Sequence, residues 1–303
     1  MATTAVRLDP NASIGTVDLA VADLERSIRF YERALGFRVH ARETGAVRMG
    51  AGGPDLLRLE EVPGARQARH TTGLYHFAIL LPSRLDLANA LVRLAASQAP
   101  LSGASDHGVS EALYLSDPDG NGIEIYRDRR RQEWPRTADG GITMTIESLA
   151  LDDLLRETTL ARQEVASLAP ETLPLAPQGA TIGHIHLHVA DLGPAQRFYI
   201  DILGFDVTTS YGAQALFVSA GGYHHHVGLN TWAGQGAPRP PQGSAGLRWF
   251  ALEHTSDAQL QKTLARVREA GVAEERIDDD VLVRDPSGNG VRLTARGRIS
   301  ATT

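Results

Sequence analysis

An internal repeat limits the folds that this chain can adopt. Residues 14–39 read IGTVDLAVADLERSIRFYERALGFRV, and residues 182–207 read IGHIHLHVADLGPAQRFYIDILGFDV, 168 positions further on. A second pair of similar segments, residues 113–126 and 281–294, is separated by the same interval. The sequence is therefore a duplication, and we expect two domains, at residues 13–134 and 181–296.

Each half of the repeat divides again into two units with the same order of elements. Residues 16–24, TVDLAVADL, alternate apolar and polar side chains as a half-buried strand does. A helix should follow, because Asp23 is a good N-cap and Gly36 a typical C-terminal stop. The pattern predicts an α+β fold of four strand-helix-three-strand modules. Further elements are predicted at residues 38–42, 46–49, 55–60, 75–82, 83–96, 110–116 and 122–128.

The segment between the two halves has a different composition. Residues 135–180 are predicted to form a linker with one helix, around residues 149–167. The linker ends in a Pro- and Gly-rich stretch, APETLPLAPQGA, which is typical of a connecting segment.

The composition excludes several function classes. The 303-residue chain carries a formal net charge of −6, so it has no excess of basic residues to neutralise the phosphates of a nucleic acid. No apolar run approaches the length of a membrane span, and the N-terminal residues lack a secretory pattern. We therefore expect a cytoplasmic protein, and the sequence permits a homo-oligomer. With 11 histidines and no cysteine, any metal ion must be held by imidazole and oxygen ligands.

The spaced motifs resemble those of the vicinal oxygen chelate superfamily, which contains glyoxalases, bleomycin-resistance proteins and extradiol dioxygenases. Residues 23–37 fit DLxxSxxFYxxxLGF, and residues 117–124 fit DPxGNxxE. Three stretches are similar to the catechol 2,3-dioxygenase branch: LYHFAILLPSR, DHGVSEALYLSDPDGNGIEIYRDR and GGYHHHVGLNTW. The resemblance implies that the four modules form two half-open barrels.

In that superfamily the metal ligands lie on the first and last strands of two modules that share a barrel. Combining modules two and three gives His76, Glu124 and His184, a set of two histidines and one carboxylate. This set suits Fe(II), with Mn(II) as the alternative. The other pairings are incomplete or include an arginine, which cannot bind a cation. We therefore predict that modules two and three share one barrel, and that modules one and four form a metal-free companion. The positions without a ligand are Thr16, Trp249 and Arg292.

Taken singly, each of these three residues has a simpler interpretation. A lone His76 or His184 on an apolar strand is more often a hydrogen-bonded core histidine than a ligand. Glu124 taken alone fits an exposed position of an edge strand. Their matched positions in related modules favour ligation.

Two residues of module two are candidates for contacting the substrate. Tyr114 lies ten positions before Glu124, the spacing at which extradiol enzymes carry a tyrosine that hydrogen-bonds the substrate. A tyrosine that packs its ring in the barrel fits equally well. His107 precedes Tyr114 and is expected to enter the same pocket.

The resemblance also implies a catalytic acid/base in the run Tyr-His-His-His at residues 223–226. Similar dioxygenases carry this histidine three residues before a small residue. Gly228 is such a small residue, so the spacing favours His225 as the acid/base, with His226 as the alternative. On a strand the two would face opposite sides. Asn230 and Trp232 are candidates for lining the substrate cavity, although Trp232 fits a packing role better.

The implied function is an extradiol ring-cleaving dioxygenase that acts on a small aromatic diol with O2. A glyoxalase-type isomerase and a metal-free small-molecule binding protein are the alternatives, because the fold hosts all three. Metal content and oxygen consumption separate them.

Overall fold

The first half of the chain forms two modules of the predicted order. The computed structural model describes residues 7–138, 140–159, 165 and 167–296. Module one consists of β1 (Ser13–Val21), α1 (Leu24–Leu35), β2 (Arg38–Glu43), β3 (Ala46–Gly50) and β4 (Leu57–Glu61). Module two consists of β5 (Gly73–Leu80), α2 (Arg84–Ala96), β6 (Leu101–Asp106), β7 (Ser110–Ser116) and β8 (Gly122–Asp128).

The second half repeats this order after a connecting segment. That segment contains β9 (Glu147–Ser148) and a short helix, α3 (Leu151–Leu155). Module three consists of β10 (Thr181–His188), α4 (Leu192–Gln196), which continues as a π-helical turn over Arg197–Ile202, β11 (Asp206–Tyr211), β12 (Ala215–Ser219) and β13 (Val227–Asn230). Module four consists of β14 (Gly246–His254), α5 (Asp257–Glu269), β15 (Glu275–Ile277), β16 (Asp280–Arg284) and β17 (Gly290–Ala295).

Local signals explain the limits of α1. The side chain of Asp23 accepts a hydrogen bond from the backbone N–H of Arg26, as an N-cap does. At the other end Gly36 adopts φ 69° in the left-handed region, which a residue without Cβ enters at little cost. Leu24, Ile28, Tyr31 and Leu35 are buried on one face.

The modules combine across the two halves into two open sheets. The order in one sheet is β15-β16-β17-β14-β1-β4-β3-β2, and in the other β11-β12-β13-β10-β5-β8-β7-β6-β9. Modules one and four therefore share the first sheet, and modules two and three share the second. The predicted α+β fold of four modules is confirmed, as is the pairing of modules two and three. In the described part of the chain neither sheet closes on itself.

The two sequence motifs of each half contact each other. The hydroxyl of Tyr31, in the helix motif, donates to the carboxylate of Asp117 in the turn motif at 2.9 Å. The repeat places Tyr199 and Asp285 in the same relation at 3.3 Å. Asp117 also accepts from Asn121, and all these side chains are buried. Each half thus ties the helix of one sheet to a turn of the other.

Replacing Tyr31 with phenylalanine should lower the free energy of unfolding by about 1–3 kcal/mol, because a buried carboxylate loses a donor. Urea unfolding of the metal-free protein measures this loss. Tyr199→Phe is the matched control, and its longer hydrogen bond predicts a smaller loss. An equal stability of wild type and Tyr31→Phe would contradict the assigned role of the motif.

The connecting segment adds a strand and contacts module three. β9 pairs with the edge strand β6, and the hydroxyl of Tyr211 donates to the carbonyl of Met144 at 3.2 Å. Of the helix predicted around residues 149–167, the short α3 is present, and residues 156–159 form turns and bends instead; the prediction for residues 160–164 and 166 lies outside the described residues. None of the helices in the described part of the chain has the length and apolar character that crossing a bilayer requires.

Candidate metal centre and substrate cavity

The central strands of the second sheet bring the three predicted ligands together. β5 and β10 are antiparallel neighbours, and β8 runs parallel to β5 on its other side. Glu124 lies beside Ala78, and His184 is opposite the same alanine. His76, two residues earlier on β5, completes the group. The three candidate ligands thus lie on three adjacent strands, which belong to two modules.

The ligand atoms converge at a buried point. Oε2 of Glu124 lies 3.1 Å from Nε2 of His76 and 3.0 Å from Nε2 of His184. One ligand atom of each residue lies within 4.8 Å of the other two. All three side chains are buried, with exposures of 8% for His76, 3% for Glu124 and 1% for His184. Such burial of a carboxylate is costly unless cations or hydrogen-bond donors compensate it.

The electrostatics of the group favour cation binding. Burial opposes ionisation of Glu124, but the imidazoles of His184 and His76 hold the pKa of this carboxyl well below its usual value. Burial lowers the pKa of His184, which keeps its imidazole neutral. A neutral imidazole and an ionised carboxylate are the protonation states that metal coordination requires.

The residues fit a divalent metal ion on the chemistry of their donor atoms. Nε2 of His76 is buried and has no hydrogen-bond partner of acceptable geometry among the described residues. A buried polar atom without a partner is unusual in a folded protein. Two imidazoles and one carboxylate on one side of an ion leave its remaining positions open.

Module three offers no fourth ligand where symmetry would place one. His184 and β13 in module three correspond to His76 and β8 in module two. By this correspondence Gly228, which lies beside His186, takes the place of Glu124. A Cβ at Gly228 would lie 2.8 Å from the ring of His186, so the ring occupies the space of the missing side chain. Among the described residues the site therefore offers three candidate ligands.

Tyr114 and His107 lie together beside the ligands, as expected. Nε2 of His107 is 2.8 Å from the hydroxyl of Tyr114. Nδ1 of His107 lies 2.9 Å from the carbonyl of Thr145 and donates to it, since a carbonyl only accepts. Burial, together with the charge of Glu124, raises the pKa of Tyr114 well above its usual value. Tyr114 is therefore a protonated phenol at the ligand end of the cavity.

The histidine run lies in a loop before β13, so the prediction of a strand there was wrong. Tight turns through Gly221 and Gly222, both with positive φ, delay the start of the strand until Val227. His225 lines the cavity, and its ring centroid is 4.1 Å from that of His184. His226 faces away and accepts a hydrogen bond from the backbone N–H of Ala220. Of the two candidates, the structure places His225 at the ligands.

Asn230 does not line the cavity, contrary to the expectation for it. Its side chain is fully buried behind the cavity wall. The amide nitrogen of Asn230 donates to Nε2 of His186 at 3.0 Å, and its oxygen accepts from Nδ1 of His188 at 2.7 Å. Asn230 therefore fixes two wall histidines, and Nε2 of His186 is occupied by this bond.

Trp232 lies at the cavity mouth, half-exposed. Its ring is 5.3 Å from that of Tyr75, which also packs against His76 and His186. The sequence reasoning did not identify Tyr75 or His186 as cavity residues. For Tyr75, its position directly before the predicted ligand His76 could have indicated a place near the cavity.

The cavity above the ligands has a volume of about 780 Å³. Histidine, tyrosine and serine side chains contribute the polar part of its lining. The rest of the lining includes larger apolar and aromatic side chains: Met144, Ile146, Tyr211, Phe217 and Trp232. None of the described residues that line this cavity is a lysine or an arginine. Among these described lining residues, Glu124 is the only carboxylate.

The companion sheet contains the three positions where ligands were missing. Thr16, Trp249 and Arg292 lie on β1, β14 and β17, as predicted. The guanidinium of Arg292 lies over the ring of Trp249 at 5.1 Å and donates to Asp280 at 2.8 Å. A fixed cation of the protein thus occupies the place that corresponds to the carboxylate ligand.

The fold agrees with the comparison to known proteins. The family model described as Glyoxalase/Bleomycin resistance protein/Dioxygenase superfamily matches residues 13–125 and 181–293. The chain belongs to this superfamily.

Within the superfamily the chain is similar to a characterised kind of enzyme. It is 46% identical over 277 residues to the catechol-2,3-dioxygenase of Bacillus subtilis (strain 168), a match that covers 90% of this chain and 93% of the relative. The expected similarity to an oxidoreductase of the catechol 2,3-dioxygenase type is therefore confirmed.

Two solved structures share the fold at low sequence identity. A Bacillus subtilis (strain 168) protein has a TM-score of 0.64 and 13% identity, and the match covers 96% of this chain and 87% of the other. Glyoxalase I from Zea mays has a TM-score of 0.55 and 15% identity, with 93% and 92% covered.

Proposed function

We propose that this chain is an extradiol ring-cleaving dioxygenase that opens catechol-like aromatic diols with O2. The observation that carries the proposal is the convergence of His76, Glu124 and His184 beneath a cavity. Two imidazoles and a carboxylate are the ligand set of non-haem Fe(II) oxygenases. The similarity to a catechol-2,3-dioxygenase over most of the chain supports the same reaction.

The three side chains would hold Fe(II), with Mn(II) as the alternative. Such an ion lowers the pKa of a bound diol and brings the diol into contact with dioxygen. Gly228 supports this use of the site, because the absence of a fourth protein ligand leaves room for the diol and O2.

His225 is the proposed acid/base. Burial lowers the pKa of its imidazole well below the usual value, so the resting ring is neutral and can accept a proton. A proton from a diol hydroxyl would pass to this ring, and the ring would later return it. His225 lines the cavity beside His184, which satisfies the requirement for proximity.

Tyr114 is proposed to orient the diol. Its phenol is protonated at neutral pH, and it can turn its hydrogen from His107 to a substrate oxygen. The hydrogen bond between His107 and the carbonyl of Thr145 fixes the ring that supports Tyr114. Trp232 and Tyr75 would contact the far side of the substrate at the cavity mouth.

The two alternative functions have less support. A glyoxalase-type isomerase of this superfamily needs a carboxylate from each paired module, and module three has Gly228 at that position. In a metal-free binding protein, the cost of burying the carboxylate of Glu124 beside two imidazoles would not be offset by a bound cation. We therefore favour the dioxygenase.

An oxygen-electrode assay tests the proposal. The protein is loaded anaerobically with Fe(II) or Mn(II), freed of excess metal, and mixed with catechol in air-saturated buffer. We expect stoichiometric oxygen consumption and a yellow ring-opened product with one of the two metals, and none with metal-free protein. A metal-loaded protein that consumes no oxygen with catechol or alkyl-substituted catechols would refute the dioxygenase while leaving the fold unaffected.

The lining of the cavity predicts a preference for uncharged substrates. Without a lysine or arginine among its described lining residues, the cavity offers no permanently charged partner for a carboxylate on the ring, and a buried charge without an opposite charge is costly. We expect kcat/KM for 3,4-dihydroxybenzoate to be at least about tenfold below that for its methyl ester, a difference of roughly 1.4 kcal/mol.

The methyl ester is the matched control, because it keeps the ring and the carbonyl and removes only the charge. Both compounds are compared under identical conditions in the oxygen assay. Equal kcat/KM values, or a preference for the acid, would contradict the prediction.

A further inference from the structure

A chain of hydrogen bonds leads away from the cavity through His225. Nδ1 of His225 lies 2.9 Å from Nδ1 of His224, and Nε2 of His224 lies 2.9 Å from Oδ1 of Asp128. Asp128 ends β8 of module two, whereas both histidines precede β13 of module three. The chain therefore crosses between the two modules that form the site.

The donor and acceptor at each step follow from the carboxylate. An ionised aspartate only accepts hydrogen bonds, so Nε2 of His224 donates to Asp128. In the singly protonated form of His224 this N–H is the only one on the ring, so Nδ1 accepts. In that form Nδ1 of His225 is the donor of the bond between the two rings, which leaves Nε2 of a neutral His225 without a hydrogen.

Packing holds His224 in this orientation. Its side chain is 1% exposed, and its ring centroid lies 4.0 Å from that of Tyr223 and 5.4 Å from that of Trp134. Asp128 is partly exposed, with 23% of its side chain accessible. The buried ring therefore has a fixed neighbour on each edge: a carboxylate on one and His225 on the other.

We propose that Asp128 and His224 are positioning residues that hold His225 in its Nδ1–H tautomer, so that the unprotonated Nε2 lies on the ring edge away from His224 and is available to the substrate. The inference rests on the proposed role of His225 as the base. In that role an O–H bond of the diol breaks and an N–H bond forms at Nε2. The resulting imidazolium keeps its Nδ1–H bond to His224, and the charge of Asp128 stabilises it through that ring.

Histidine tautomers can be observed directly in the metal-free protein. Long-range ¹H–¹⁵N spectra of protein labelled with ¹⁵N in the histidine rings distinguish Nδ1–H from Nε2–H. The signals of His225 are identified as those that disappear in His225→Asn. We expect the Nδ1–H tautomer in wild type. In His224→Phe, which keeps a ring but removes the acceptor, the Nε2–H tautomer should appear.

Two further variants separate hydrogen bonding from packing. His224→Asn places an amide oxygen where Nδ1 was, and it should restore the Nδ1–H tautomer of His225. His226→Asn changes the next imidazole along the chain, whose Nδ1 accepts from the backbone N–H of Ala220, and it should leave the tautomer unchanged. If His224→Phe does not fold, Asp128→Ala gives the same test by removing the carboxylate.

The kinetic expectation is specific to a positioning role. In the metal-loaded enzyme His224→Phe should lower kcat by about tenfold or more, as the loss of an outer-shell partner commonly does, with little change in KM. His224→Asn should recover most of the loss.

An Nε2–H tautomer of His225 in wild type, as a doubly protonated His224 would produce, overturns the proposal. So does an unchanged tautomer in both His224→Phe and Asp128→Ala. Because the spectra are recorded without metal or substrate, these results are independent of whether the protein proves to be a dioxygenase.

Discussion

Replacing Glu124 with alanine is expected to abolish stoichiometric metal binding. Glu124 contributes the only carboxylate of the site, and its oxygen lies 3.1 Å or less from both histidine ligand atoms. The loss of outer-shell partners alone weakens metal sites 10- to 100-fold, so removing a ligand should lower the affinity by at least about 100-fold. Metal analysis after anaerobic loading and desalting measures the effect. Oxygen consumption should disappear in parallel.

Arg292→Gln is the matched control for Glu124→Ala. Arg292 holds the corresponding position in the repeat, on β17 of the companion sheet, where it pairs with Asp280. We expect this variant to bind as much metal as wild type, with any cost confined to stability. If the metal content falls in Arg292→Gln but not in Glu124→Ala, the metal ion binds in the companion sheet, and the proposed site is refuted.

Replacing His225 with asparagine is expected to lower kcat by about 10²- to 10⁴-fold, the usual contribution of a positioned acid/base. His225 lines the cavity but is not one of the three ligands, so the metal content should stay at the wild-type level. Steady-state oxygen uptake with catechol, normalised to bound metal, separates this effect from metal loss. A wild-type kcat would exclude His225 from the reaction.

His226→Asn is the control for this experiment. Nδ1 of His226 accepts a hydrogen bond from the backbone N–H of Ala220, and an asparagine oxygen can accept the same bond. The side chain faces away from the cavity, so we expect kcat close to that of wild type. The opposite result, activity lost with His226 and kept with His225, would reverse the assignment.

The repeat made much of the fold predictable from the sequence. Matching segments at a constant interval defined four modules, and the residues at equivalent positions then selected the module pairing. Only His76, Glu124 and His184 gave a coherent ligand set, and that set required β5 and β10 to be neighbours. The convergence of the three candidate ligands could be predicted because they lie on regular strands, where sequence spacing determines the direction of a side chain.

The parts that were missed depend on irregular backbone or on distant contacts. The histidine run was placed on a strand, because nothing local showed that the turns at Gly221 and Gly222 would delay β13. The position of Asn230 behind the cavity wall follows from its bonds to His186 and His188, which alternation alone does not reveal. Gly228 could be recognised as the counterpart of Glu124 only from the register of β10 and β13.

The division of the ligands between the two halves has a consequence for how the protein is made. His76 and Glu124 leave the ribosome well before His184, and until β10 has paired with β5 the growing chain has an incomplete set of ligands. A nascent or truncated chain that ends before module three therefore has only two of the three candidate ligands. The proposed metal ion would then be bound only by chains in which modules two and three have already paired, and a half-made protein would not expose a metal centre to oxygen.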